Sequence, residues 1–197
     1  MTVREIEAKS VLRKYKKIDS WFLSRYGMNL YRGCTHNCIY CDGRAEGYYV
    51  DGEFGEDVTV KVNAIEILRR EFDPKRKRTP FKQGFVMIGG GVGDSYQPIE
   101  KTYQLSRKVL ELMGEYNFPI HILTKSTLIK RDIDILKKIN RKSKTIVSLS
   151  FSSVDDKISA IFEPGVPLPS ERLKTLTYFN NYCCYRSYYR TFRSHAG

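Results

Sequence analysis

The sequence predicts an α/β domain built on a parallel sheet. Short runs rich in Ile and Val alternate with amphipathic stretches at helical spacing, and strands that alternate with helices in this way mark βα units. The repeat is roughly 30 residues, the length of one βαβ unit. Right-handed crossovers curl such a series toward a barrel or a doubly wound sheet.

Four units can be traced. The first strand is expected near Met28–Tyr31, feeding a loop with three cysteines, and its helix puts Val62, Ile65, Leu68 and Phe72 on one face. The Gly- and Tyr-rich stretch between them, Asp42 to Asp57, has no assignable period. The second strand, GFVMIGG (Gly84–Gly90), follows the basic turn DPKRKRTP, and its helix runs from about Pro98 to Tyr116 with Tyr103, Val109, Leu110 and Met113 inward. The third strand is PIHILT (Pro119–Thr124), followed by a helix bearing Ile133, Leu136 and Ile139. The fourth is TIVSLSF (Thr145–Phe151). Two short helical stretches come next, separated by EPGVPLP (Glu163–Pro169), the second being Ser170–Phe179.

The chain therefore divides into a basic lead-in (1–24), a core (25–178) and an atypical tail (179–197). Beyond Phe179 the chain reads NNYCCYRSYYRTFRSHAG, without Ile, Val or Leu. Either the natural reading frame is lost near Phe179, leaving a barrel truncated at its C-terminus, or the tail is irregular or disordered.

At 197 residues the chain has room for one domain with an ordinary core. Its formal charge of +12 suits a nucleic acid or another polyanion, and equally suits a solvated basic surface. The N-terminal segment lacks the apolar core of a secretory signal. No apolar run approaches the roughly 18 residues of a membrane span, so the expected location is cytoplasmic. Five cysteines in a reducing compartment read as ligands or free thiols rather than bridges.

Three of them, Cys34, Cys38 and Cys41, form C-x3-C-x2-C in RGCTHNCIYCD, with Gly33 in front to permit a tight turn. Thiolates so spaced suit soft iron, and three of them can hold three corners of a [4Fe–4S] cube, leaving the fourth iron open to a ligand. A zinc site would need a fourth donor from His36 or from Cys183 and Cys184.

The pattern, with aromatic Tyr40 before the last cysteine, resembles the radical S-adenosylmethionine enzymes, whose fold is a partial (β/α)6 barrel of TIM type. VKVN (Val60–Asn63), GDSYQPIEK (Gly93–Lys101), ILTKS (Ile122–Ser126), VSLSFSS (Val147–Ser153) and EPGVPLPSERL (Glu163–Leu173) are similar to the branch around spore photoproduct lyase. The likeness spans roughly residues 25 to 178.

The resemblance implies a [4Fe–4S] cluster on the three cysteines and S-adenosylmethionine chelated at the open iron. It implies Tyr40 beside the adenine, Gly89, Gly90 and Gly91 at the methionine amino group, and Lys125 on the methionine carboxylate. Ser150 or Ser152 would add a hydroxyl to that carboxylate or to the ribose. Read singly, the glycines also suit a tight turn, Lys125 a solvated charge and the serines strand-end caps; together they fall at the carboxyl ends of successive strands, where barrel sites are built. The implied activity is reductive cleavage of S-adenosylmethionine to a 5′-deoxyadenosyl radical that takes hydrogen from a substrate, with nucleic acid a candidate. A flavodoxin- or ferredoxin-like protein would supply the electron.

Two departures stand out. The branch's Thr-Asp-Pro before Tyr-Gln-Pro is replaced by Gly93-Asp94-Ser95, although Asp94, Tyr96 and Gln97 remain as residues that could face a substrate. No cysteine lies between Cys41 and Cys183, so the lyase's hydrogen-returning cysteine has no counterpart there and repair of the spore thymine lesion is not supported. His121 and His195 read as structural. The rival readings are a metal-stapled nucleic-acid-binding module without catalysis and an inactive fragment.

Overall fold

The computed structural model describes residues 2–18, 20, 22–45, 47–75, 81–89 and 92–180. Its main sheet has five strands, β2 (Leu12–Lys14), β3 (Ser24–Met28), β6 (Phe85–Ile88), β7 (Ile120–Thr124) and β8 (Thr145–Leu149), adjacent in that order. The last four are mutually parallel, and β2 runs antiparallel to β3. This is the expected α/β architecture with a mostly parallel sheet. A second sheet joins β1 (Val3–Ile6), β5 (Val58–Lys61) and β4 (Tyr31–Arg32).

Alternation along the parallel strands sorts side chains onto two faces. Val86, Ile88, Ile120, Ile122, Val147 and Leu149 are buried in one apolar cluster with Leu110, Met113, Leu136 and Ile139. These last come from α3 (Leu105–Glu115) and α4 (Ile133–Lys142), and α3 packs between α1 (Ala64–Phe72) and α4. The opposite face carries His121 and Ser148, bonded to each other, and Gly27 and Met87, which line a cavity.

Several expectations are corrected. The first strand of the parallel series ends at Met28 instead of beginning there, and Tyr31–Arg32 pairs separately with β5. Val62 is 40% exposed, because VKVN ends a strand and the helix begins only at Ala64. The expected helix over 98–116 is broken at Gln104, which has φ +52°, into α2 (Glu100–Tyr103) and α3. Buried Glu100 explains the break: its carboxylate accepts from the Ser106 amide at 3.0 Å, satisfying a free donor at the start of α3. The lead-in is not featureless, since it holds β1 and β2. After β8 come α5 (Asp156–Phe162) and α6 (Pro169–Asn180). Residues 181–197, with Cys183, Cys184 and His195, lie outside the described residues.

Candidate functional site

The cysteine loop leaves β4 at Gly33, whose φ of +81° confirms the turn; a Cβ there would lie 2.3 Å from the Asp57 carbonyl oxygen. The loop is then fastened on two sides. On the β6 side, buried Gln97 accepts from the Thr35 amide at 3.0 Å and donates to the Gly33 carbonyl at 3.1 Å. On the β8 side, the Ile39 amide donates to the Phe162 carbonyl and the Gly165 amide to the His36 carbonyl, each at 3.0 Å. Gly165 sits against the loop backbone so closely that a Cβ would be 2.4 Å from the Thr35 oxygen.

His36, offered by sequence as a zinc donor, is buried and spans these two sides. Its Nδ1 donates to the Gly165 carbonyl at 3.0 Å, and its Nε2 lies 3.2 Å from Asp94 Oδ2 in an ion-pair contact. Asp94 also accepts from Thr124 Oγ1 at 2.7 Å and from the amides of Lys125 and Tyr96. Burial alone would raise the Asp94 pKa; His36 and the two amides overcome it and hold the carboxyl at about 2. Asp94, Tyr96 and Gln97 are all buried: Asp94 and Gln97 tie the loop to the strand ends, and the Tyr96 hydroxyl donates to Asp132 at 3.0 Å.

Cys34 and Cys38 are buried, Cys41 is half-buried, and all three are free. Burial pushes the Cys34 thiol up to about 12, with Asp94 adding to it. It pushes Cys38 up to about 11, against the pull of Lys125. Ligation would displace these protons, as metal binding to thiols does. Among the described residues no group of three Cys, His, Asp or Glu is arranged to hold a metal ion. Three free thiols on one short loop, pinned by glycine turns and amide bonds, fit the protein side of a three-thiolate cluster by their donor chemistry.

Beside the thiols the structure gathers four of the residues expected at the cofactor. Lys125 Nζ lies 5.8 Å from the Tyr40 ring centroid and 3.3 Å from Ser150 Oγ. The Ser152 Oγ is buried without a hydrogen bond of good geometry, and Ser152 and Tyr40 line a cavity of about 280 Å3 with Ser153, Ile158 and Phe162. Gly89, with φ +78°, ends β6 at a different, small pocket shared with Asp94 and Ser95. Gly90 and Gly91 lie outside the described residues.

Sequence reasoning left Glu163 and Arg172 without roles, although both stand in EPGVPLPSERL. Glu163 Oε1 accepts the Tyr40 hydroxyl proton. Its other oxygen takes Arg172 Nη2 at 2.6 Å, while Nη1 of this fully buried guanidinium reaches the Ser150 carbonyl. Burial pushes the Glu163 pKa up, but Tyr40 and Arg172 bring it below the usual carboxylate value. The signal available in sequence was a Glu and an Arg nine residues apart at the head of a helix. His121 is structural, as expected: Nδ1 donates to the Phe22 carbonyl and Nε2 accepts from Ser148, both at 2.8 Å.

The radical SAM superfamily model matches residues 28–189. An uncharacterised protein of Mycobacterium tuberculosis (strain H37Rv) is 32% identical over 181 residues, covering 90% of this chain and 52% of the relative. One of Methanocaldococcus jannaschii is 31% identical over 154 residues, 78% of this chain and 54% of the relative. The chain thus spans about half the length of the curated relatives it matches. Spore photoproduct lyase complexed with dinucleoside spore photoproduct superposes with TM-score 0.64 at 16% identity, covering 99% of this chain and 52% of that one. A mutant of that lyase with bound AdoMet and the same dinucleoside gives 0.62 at 18%, over 95% and 49%. At such identity the likeness speaks for the fold. The chain belongs to the radical SAM superfamily, a family of enzymes that carry a [4Fe–4S] cluster and S-adenosylmethionine.

Proposed function

We propose that this chain carries the cofactor-binding core of an enzyme that cleaves S-adenosylmethionine reductively and abstracts hydrogen from a substrate. The observation that carries the reading is the meeting of the three-thiol loop with Tyr40, Lys125, Ser150 and Ser152 at the ends of β7 and β8. Cys34, Cys38 and Cys41 would hold the cluster. A reduced cluster held there would supply the electron that cleaves S-adenosylmethionine to methionine and a 5′-deoxyadenosyl radical.

The chain's own part is to bind and orient. Lys125 offers an ammonium to the methionine carboxylate, and the hydroxyls of Ser150 and Ser152 stand beside it as donors. Tyr40, Ile158 and Phe162 offer an apolar wall to the adenine. Gly89, Gly90 and Gly91, which carry no side chain to obstruct backbone approach, would take the methionine amino group. The core falls within 25–178.

Nucleic acid is the proposed substrate class. The charge of +12 supports it, as does the dinucleoside bound by the structurally similar lyase. An acidic flavodoxin- or ferredoxin-like protein in a reducing cytoplasm is the proposed electron donor. No described helix is long and apolar enough to cross a membrane.

Anaerobic reconstitution with iron and sulfide, reduction, and assay of 5′-deoxyadenosine test the proposal. The wild type should load about four irons per chain and release the nucleoside, and Cys38→Ala should abolish both. Stoichiometric zinc in place of iron, or a loaded cluster without cleavage, would overturn it in favour of a metal-stapled module or an inactive core.

A further inference from the structure

VKVN, which the cofactor site leaves unused, leads to a second cavity. About 540 Å3 in volume, it lies between β2, β3, β5 and β6, on the sheet face away from the helices. Gly27 lets the Tyr15 ring pack against its wall: a Cβ there would fall 2.2 Å from the Tyr15 hydroxyl. Asn63 holds the lead-in over this region, accepting from the Ala8 amide at 2.9 Å and donating to the Ala8 carbonyl at 3.1 Å.

Lys61 lines this cavity and is 8% exposed. Its ammonium donates to the Asn29 carbonyl at 2.9 Å, and Asn29 lines the cavity too. No carboxylate pairs with Lys61 among the described residues. The charge acting on it is that of Arg32, also positive, and burial followed by this repulsion lowers its pKa. None of the described residues lining the cavity is Asp or Glu, whereas Arg13 adds a second cation there. A buried ammonium left without a counter-charge is costly, and buried charges in proteins are normally paired. Here no described residue of the lining supplies the pairing group.

We infer that this cavity is an anion-binding site, in which Lys61 receives a phosphate or carboxylate oxyanion. An oxyanion at Lys61 Nζ would accept the ammonium protons not given to Asn29, in a cavity that Tyr15 and Arg13 also line. The assignment of that oxyanion to the enzyme's substrate rests on the proposed function; the site itself rests on the cavity.

The test uses the full chain and measures binding of inorganic phosphate, and separately of acetate, by calorimetry at constant ionic strength. Wild type, Lys61→Met, Lys61→Arg and, as a control for net charge, exposed Lys138→Met are compared. Saturable binding of either anion is expected, weakened at least tenfold by Lys61→Met and little changed by the other two variants. Preference for phosphate assigns the site to a phosphate ester, and preference for acetate to a carboxylate. Lys61→Met should also raise the melting temperature without anion, because it removes an unpaired buried charge. Absence of saturable binding, equal weakening by Lys138→Met, or a lowered melting temperature with unchanged binding would overturn the inference, the last showing Lys61 to be a tether for Asn29. Because no readout depends on S-adenosylmethionine, failure here with cleavage intact removes only the anion site. Failure of cleavage with binding intact removes only the proposed activity.

Discussion

Tyr40 and Arg172 hold the two oxygens of one buried carboxylate, that of Glu163. The link joins the cysteine loop to α6 across 132 positions of sequence, and the guanidinium lies 4.9 Å from the Phe151 ring centroid while bonding the Ser150 carbonyl. The wall beside the thiols is thereby fixed from behind.

Removing the cation should be expensive. Arg172→Met leaves the Glu163 charge buried and half-paired, and breaking such a pair typically costs about 3–5 kcal/mol. Urea titration of the two proteins measures it. A loss below about 1 kcal/mol would show that the pair is not what holds this corner.

Gly165→Ala should damage cluster loading. Its Cβ meets the Thr35 and His36 carbonyl oxygens at 2.4 and 2.8 Å, so the loop must shift, with a stability loss of about 1–3 kcal/mol as for other overpacked sites. Iron bound after reconstitution should fall to less than half. Gly114→Ala, within α3, is the contrast: its Cβ touches only Ile139 Cγ1 of α4 at 3.4 Å, and it should stabilise by about 0.5–1 kcal/mol. Equal iron content in the two variants would refute the close-packing account.

His121 makes stability depend on pH in a defined direction. Burial lowers its pKa from 6.5, against the Phe22 carbonyl, which favours the charged ring. The unfolded chain thus takes up the proton first, so the contribution is fully present above about 6.5 and is lost as pH falls from there through the lower folded value. Melting temperature followed from pH 8 to 5 should decline more steeply in wild type than in His121→Gln. Parallel curves would count against it.

Gln104→Gly relieves a left-handed residue between α2 and α3, at φ +52° without a side-chain cap. A gain of about 1 kcal/mol is expected from differential calorimetry. A loss would mean that the Gln104 side chain makes a contribution beyond its backbone angle.

By itself the sequence determined the parallel α/β class, because the alternation of Ile- and Val-rich strands with amphipathic helices is a local pattern. It also located the thiols, whose spacing within one loop needs no folding to be seen. Tyr40, Lys125, Ser150 and Ser152 were candidates through the resemblance to the radical S-adenosylmethionine enzymes, and the structure brings them together. Only the tertiary structure decided what Asp94, Gln97, Glu163 and Arg172 do. The partners that decide those roles, Thr35, His36, Tyr40 and the Glu163–Arg172 pair itself, lie 9 to 123 positions away, and a buried carboxylate reads in sequence like an exposed one. The same holds for Lys61, whose meaning comes from the lack of a counter-charge among the described residues around it. The break at Gln104 was hidden although its partners are near in sequence: the helical period runs through it, and only the burial of Glu100 beneath the start of α3 makes two helices more stable than one.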